Sequence, residues 1–206
     1  MSQDTNTIDA PPARPSFGYG LYLLISGLIG LIASLALAIE KIEQLRNPLG
    51  ALSCDVSILV QCSANLDSPQ GALFGFPNPY LGLFGFACVI CAGVTTWAAP
   101  AIARWYWLLF NLGVAAGLVM VLWLISQSVY VLGTLCPWCM VVWAVTIPMF
   151  IVVTLRNLRD GVFGAGLRAL GAQLWPYAGL LVFVAVAVVV LLAQLRLDVA
   201  GNVFGL

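Results

Sequence analysis

Five long apolar runs divide the chain, at about 17–39, 79–99, 105–132, 137–155 and 174–195, and no charge interrupts any of them. A run of about 20 apolar residues, rising 1.5 Å each, crosses the ~30 Å hydrocarbon core of a bilayer. The pattern therefore predicts an all-α integral membrane protein with five transmembrane helices. The first run follows a polar, proline-containing leader and shows no small-residue cleavage site before Glu40, so it reads as a membrane helix and not a secretory signal. The leader, residues 1–16 with Pro11, Pro12 and Pro15, is expected to be a disordered tail. Residues 17–206 then form a single transmembrane domain, with one long polar loop at 40–78.

Basic residues near helix ends favour the cytoplasm. With the N-terminus inside, Arg14, Arg104, Arg156, Arg159 and Arg168 fall on the cytoplasmic side, and Lys41, Arg46 and Arg196 outside. The expected orientation is therefore N-terminus in. Helix parity adds a relation that holds in either orientation. The 40–78 loop follows helix one and the 130–136 connection follows helix three, so Cys54, Cys62, Cys136 and Cys139 share one face. With the N-terminus in, that face is the oxidising exterior, where disulfides persist.

Composition sharpens the picture. Hydrophobic residues make up 62% of the chain and charged ones 8%, far from the roughly 45–50% and about 25% of soluble domains. The zero net charge and scattered basic residues give nothing to attract nucleic acid. Histidine is absent, which removes the commonest general base and neutral metal ligand. Cysteine is left as the evident reactive side chain.

Two CxxC pairs are present, and their settings differ. Cys88 and Cys91 lie within the second apolar run, with Cys88 ~14 Å beyond Pro79 near mid-membrane. A thiolate, the reactive form, is penalised there, so this pair reads as apolar filler. Cys136 and Cys139 open the fourth run, and Pro137 between them suits the first position of a helix. That makes Cys136 an N-cap candidate, at a helix end whose partial positive charge stabilises a thiolate. A structural disulfide or simple capping is the plainer alternative.

The outer loop carries Cys54 and Cys62 with seven residues between them. Two dithiols on one face fit a relay in which electrons pass through a mixed disulfide from one sulfur to the next. Cys54 and Cys62 would exchange with an outside thiol protein, and Cys136 and Cys139 would carry electrons inward. A Cys₄ zinc site and a pair of structural disulfides are the competing readings; zinc calls for two short chelating hairpins. An exported-protein oxidant near about −120 mV needs a higher-potential acceptor, and a lipid-soluble quinone supplies one where no glutathione buffer exists. The segment Phe74-Gly75-Phe76-Pro77-Asn78-Pro79-Tyr80 offers an amide among aromatics, as small-molecule sites do. It equally fits a proline-capped helix start with interfacial aromatics.

Taken together, Cys54-Asp55, the cysteine seven intervening residues later, Ser68, the FGFPNP turn and CPWC opening a helix resemble the vitamin K epoxide reductase family in its bacterial form. The resemblance covers roughly 17–155. It implies a four-helix bundle around a quinone, menaquinone or ubiquinone, with the outer loop as a lid and no metal. Cys54 would meet the redox partner, Cys62 would shuttle to Cys136, and Cys139 would face the quinone. Asn78 would match the family's quinone-bonding amide and Ser68 its loop hydroxyl, with Phe74, Phe76 and Tyr80 nearby. Trp143 stands where vertebrate members have a quinone-contacting tyrosine, and an indole N–H donates but does not accept.

Many bacterial relatives continue after a fifth helix into a thioredoxin-like domain, whereas this sequence stops at Leu206. A separate extracytoplasmic thioredoxin-fold protein is therefore the expected partner. The resulting expectation is a multi-pass protein of the bacterial plasma membrane that reoxidises this partner and drives disulfide formation in exported proteins. A non-enzymatic membrane scaffold with structural disulfides is the alternative.

Overall fold

The computed structural model describes residues 17–48, 50–99 and 102–198. The tail expected to be disordered, 1–16, lies outside them. The elements are α1 (Phe17–Arg46), α2 (Ser63–Asp67), a 3-10 turn (Pro69–Ala72), α3 (Pro79–Ala98), α4 (Arg104–Ser126), a π-helical turn (Gln127–Leu132), α5 (Pro137–Arg159), α6 (Ala165–Leu174), a second 3-10 turn (Trp175–Tyr177) and α7 (Ala178–Leu197). Among the described residues there are five helical spans long and apolar enough to cross a membrane, at the five places that the apolar runs predict.

The boundaries differ from the sequence reading where polar residues extend a helix. α1 runs seven residues past 39, to Arg46, because its polar last turns find partners in the loop. Lys41 Nζ donates to the Leu66 carbonyl at 2.8 Å, and Gln44 Nε2 to that of Ser63 at 3.2 Å. α5 likewise continues to Arg159, where Arg156 pairs with Asp160 at 2.9 Å one turn on. The fifth span begins at Ala165, earlier than 174, and is interrupted by the Trp175-Pro176-Tyr177 turn. Proline lacks the N–H that a continuous helix would use there.

α1 packs chiefly against α3, and α5 sits centrally, touching α1, α4, α6 and α7. Lipid offers no hydrophobic drive between helices, so close backbone approach through small residues decides which pair. Gly27 of α1 faces Ile90, where a Cβ would stand 2.7 Å from the Ile90 side chain, and Gly93 of α3 lies close on the α1 backbone, where a Cβ would stand 3.0 Å from Gly20 and Leu24. One buried cluster, including Leu23, Phe86, Trp107, Met149 and Val153, joins α1, α3, α4 and α5. A second, of Val121, Ile125, Val129, Trp143 and Ile147, packs against Ala185, Val189 and Ala193 of α7. Cys88 and Cys91 face outward from α3 and are exposed on the bundle's apolar surface.

Candidate functional site

Between α1 and α3, residues 50–78 fold into a lid. Asp55 organises it: one carboxylate oxygen accepts from the backbone N–H groups of Cys62 at 2.8 Å and Ser63 at 3.1 Å, and the other from Leu52 at 3.2 Å. These bonds tie both ends of the Cys54–Cys62 segment together at the start of α2. Burial alone would raise the Asp55 carboxyl, but the N–H groups of Ser63, Cys62 and Leu52 outweigh it and hold the group below its ordinary value. Ser53 Oγ also bonds the Glu40 carboxylate, which fastens the loop to α1.

Cys54 and Cys62 form a disulfide, with Cα atoms 5.7 Å apart. A short parallel bridge between Val60 and Leu135 then lays the loop against the start of α5, through Leu135 N–H to Leu59 at 2.8 Å and Gln61 N–H to Leu135 at 2.9 Å. Each bridging residue immediately or nearly precedes a cysteine. The consequence is that Cys136 Sγ lies 3.3 Å from Cys62 Sγ, with both residues fully buried.

Cys136 is the N-cap of α5, with extended backbone at φ −98° and ψ 123°, Pro137 follows it, and its sulfur accepts from the Cys139 backbone N–H at 3.4 Å. The Cys139 thiol also bonds the Cys136 sulfur. With the N–H groups of Cys139 and Trp138, this bond outweighs burial and the nearby Asp55 charge and lowers the Cys136 pKa. Cys136 and Cys139 are both free thiols. Cys139 packs against the cysteine cluster on one side and against the Trp143 cluster on the other. Cys139 therefore lies between the cysteine cluster and the apolar interior.

The remaining predicted residues occupy the lid and its edges. Ser68 caps the 3-10 turn, accepting from Gly71 N–H at 3.2 Å and donating to the Asn65 carbonyl at 2.8 Å. Asn78 is buried at the start of α3, where its oxygen accepts from Leu73 N–H at 3.1 Å and its nitrogen donates to the Gln70 carbonyl at 2.6 Å. Among the described residues, one amide hydrogen of Asn78 is left for another acceptor. Phe74 and Phe76 stack with centroids 6.3 Å apart, and both, like Tyr80, are exposed. Trp143 is buried beside Ile147.

Sequence reading missed a latch between the lid and the connection from α4 to α5. Asn65 donates to Thr134 Oγ1 at 3.0 Å and accepts from Ser128 Oγ at 2.6 Å, and Gln70 reaches Gln127 at 3.3 Å. The π-helical turn makes this possible by rotating Gln127 and Ser128 toward the lid, and it ends at Gly133, whose φ of 68° suits glycine. Partners 57 to 69 residues apart leave no local spacing signal.

An apolar groove of about 490 Å³ lies between α4, α5 and α7, lined by Leu118, Ile125, Tyr130, Ile147, Phe150 and Val189 among others. It contains none of the four cysteines, but Ile125 and Ile147 also belong to the cluster that meets Cys139. Among the described residues, no group of three or more His, Cys, Asp or Glu side chains is placed to hold a metal ion.

No curated protein matches this chain. The family model described as the vitamin K epoxide reductase family matches residues 21–154, which span α1 to α5 and include all four cysteines of the site. The chain belongs to the vitamin K epoxide reductase family and is a multi-pass membrane thiol–disulfide oxidoreductase linked to quinone.

Proposed function

We propose that this protein reoxidises a separate thioredoxin-fold oxidoreductase outside the cytoplasm and so drives disulfide formation in exported proteins, with menaquinone or ubiquinone as the final acceptor. The carrying observation is the run of three sulfurs: Cys54 bonded to Cys62, and Cys62 3.3 Å from Cys136. Thiol–disulfide exchange needs that kind of contact, because each transfer passes through a mixed disulfide.

The partner's dithiol reduces the Cys54–Cys62 disulfide and leaves as a disulfide. Cys62 thiolate then attacks Cys136 of an oxidised Cys136–Cys139 pair, which forms a Cys62–Cys136 bond and frees Cys139. Cys54 attacks Cys62, closes the outer disulfide and frees Cys136. An outer disulfide with two inner thiols, the arrangement this step would leave, is compatible with the reading. Bound quinone accepts the two electrons and two protons given up as Cys136 and Cys139 close their disulfide. Cys139 is the residue suited to face it, since it borders the Trp143 cluster. The free amide hydrogen of Asn78 supports a role as carbonyl donor.

Orientation is supported by Arg104, which donates to Val162 at 2.7 Å, and Arg168, which donates to Arg159 at 3.3 Å. These arginines gather around the turn after α5, at the opposite end of that helix from Cys136, so the positive end belongs inside and the cysteines outside.

The test is quinone reduction by purified protein supplied with a reduced thioredoxin-fold partner and with menaquinone or ubiquinone. One partner disulfide per quinone reduced is expected. No turnover with either quinone would overturn the reading and favour a scaffold with structural disulfides.

A further inference from the structure

The outer disulfide presents a contradiction between reactivity and access. Cys54, the sulfur a partner must attack, is only 6% exposed, whereas Val56 and Ile58, two and four residues on, are 76% and 93% exposed. These apolar side chains sit on an ordered turn. Val56 and Ser57 N–H groups both donate to the Val60 carbonyl, at 2.9 and 3.0 Å, Val60 N–H returns to Ser57 Oγ at 3.0 Å, and Gln61 Nε2 bonds the Ile58 carbonyl at 2.9 Å. Val60 is in turn fixed to Leu135. A stiff backbone thus holds two β-branched side chains in a fixed position outside the lid.

We propose that the Val56–Val60 turn is the docking element for the thioredoxin-fold partner, which would cover Val56 and Ile58 with the apolar surface around its own dithiol. This rests on the function proposed above. The turn is continuous with the reacting groups, since it lies inside the loop that the Cys54–Cys62 disulfide closes, and Asp55 ties the two ends of that loop together through the N–H groups of Leu52, Cys62 and Ser63. A partner seated there has its dithiol beside Cys54 and holds the segment that must shift to expose the sulfur. The stretch from Val56 to Gln61 carries no charge, so recognition is by shape and apolar contact, and a preorganised surface gives up little freedom on binding.

The experiment compares wild type with V56S/I58S in quinone reduction driven either by a reduced thioredoxin-fold protein or by dithiothreitol. The expected result is at least a ten-fold fall in kcat/KM for the protein reductant, mainly through KM, with the dithiothreitol rate within two-fold of wild type. The conservative Ile58→Val should keep most of the protein-driven rate. An equal fall with both reductants would mean that the turn anchors the lid or rests in the membrane interface, and would overturn the proposal. So would an unchanged rate with both. Wild-type protein that reduces quinone with dithiothreitol but not with the protein overturns the partner; inactivity with both reductants overturns the function itself, and docking with it.

Discussion

Cys136 Sγ stands 3.3 Å from Cys62 Sγ while Cys62 remains bonded to Cys54. Exchange between the outer and inner pairs therefore needs no large movement of the lid. In the proposed relay a Cys62–Cys136 bond would be resolved by Cys54 in one direction and by Cys139 in the other. Cys139→Ala alone should raise the amount of Cys62–Cys136 disulfide, because only Cys54 can then resolve it. Cys54→Ala together with Cys139→Ala should trap it nearly fully under copper phenanthroline. Non-reducing peptide mapping that finds no Cys62–Cys136 link in the double variant would remove the contact from the mechanism.

The second prediction concerns ionisation. The bond from the Cys139 thiol and the N–H groups at the start of α5 lower the Cys136 pKa. With Cys54, Cys62, Cys88 and Cys91 replaced by Ser, thiolate absorbance at 240 nm should show a first ionisation below the ordinary thiol value of about 8.5. Cys139→Ala in that background should move it upward. An unchanged midpoint would show that the helix end alone sets the value.

The sequence shows its spans and cysteines clearly for physical reasons. Uninterrupted apolar runs admit little besides membrane helices, and helix parity alone places four cysteines on one face. Pro137 after Cys136 marks a helix start, and the N-cap is observed there. The extension of α1 to Arg46 was not legible, because it depends on Lys41 and Gln44 finding carbonyls about 20 residues away. The Asn65–Ser128 latch and the π-helical turn were hidden for the same reason. Asn78 stood out as an amide among aromatics and Ser68 only through the family resemblance, yet much of their hydrogen bonding holds the lid together.

The third prediction tests helix pairing. A side chain at Gly27 would meet Ile90 and the neighbouring Val89, whereas Gly113 on α4 has open space where a Cβ would go. Gly27→Val should destabilise by about 1–3 kcal/mol through overpacking, read as a lower thermal midpoint in detergent. Gly113→Ala should leave the midpoint unchanged or raise it. Equal effects at both sites would contradict the close α1–α3 approach.

The last prediction concerns Asp55 and acid. Its folded pKa lies below the ordinary carboxyl value because three backbone N–H groups bond the ionised form, despite the opposing effect of burial. A depressed carboxyl contributes stability that is present above its unfolded pKa, about 3.9, and is lost as pH falls through the folded value. The lid should therefore loosen below about pH 4. Asp55→Asn removes the charge and one acceptor oxygen, so the variant should start less stable and lose less on acidification. Lid opening can be followed by the rate at which a small phosphine reduces the Cys54–Cys62 disulfide. Wild type should react slowly at pH 6 and faster toward pH 3, while Asp55→Asn should react several-fold faster at pH 6 and change less. Identical rates for the two proteins across that range would show that the carboxylate does not hold the lid closed.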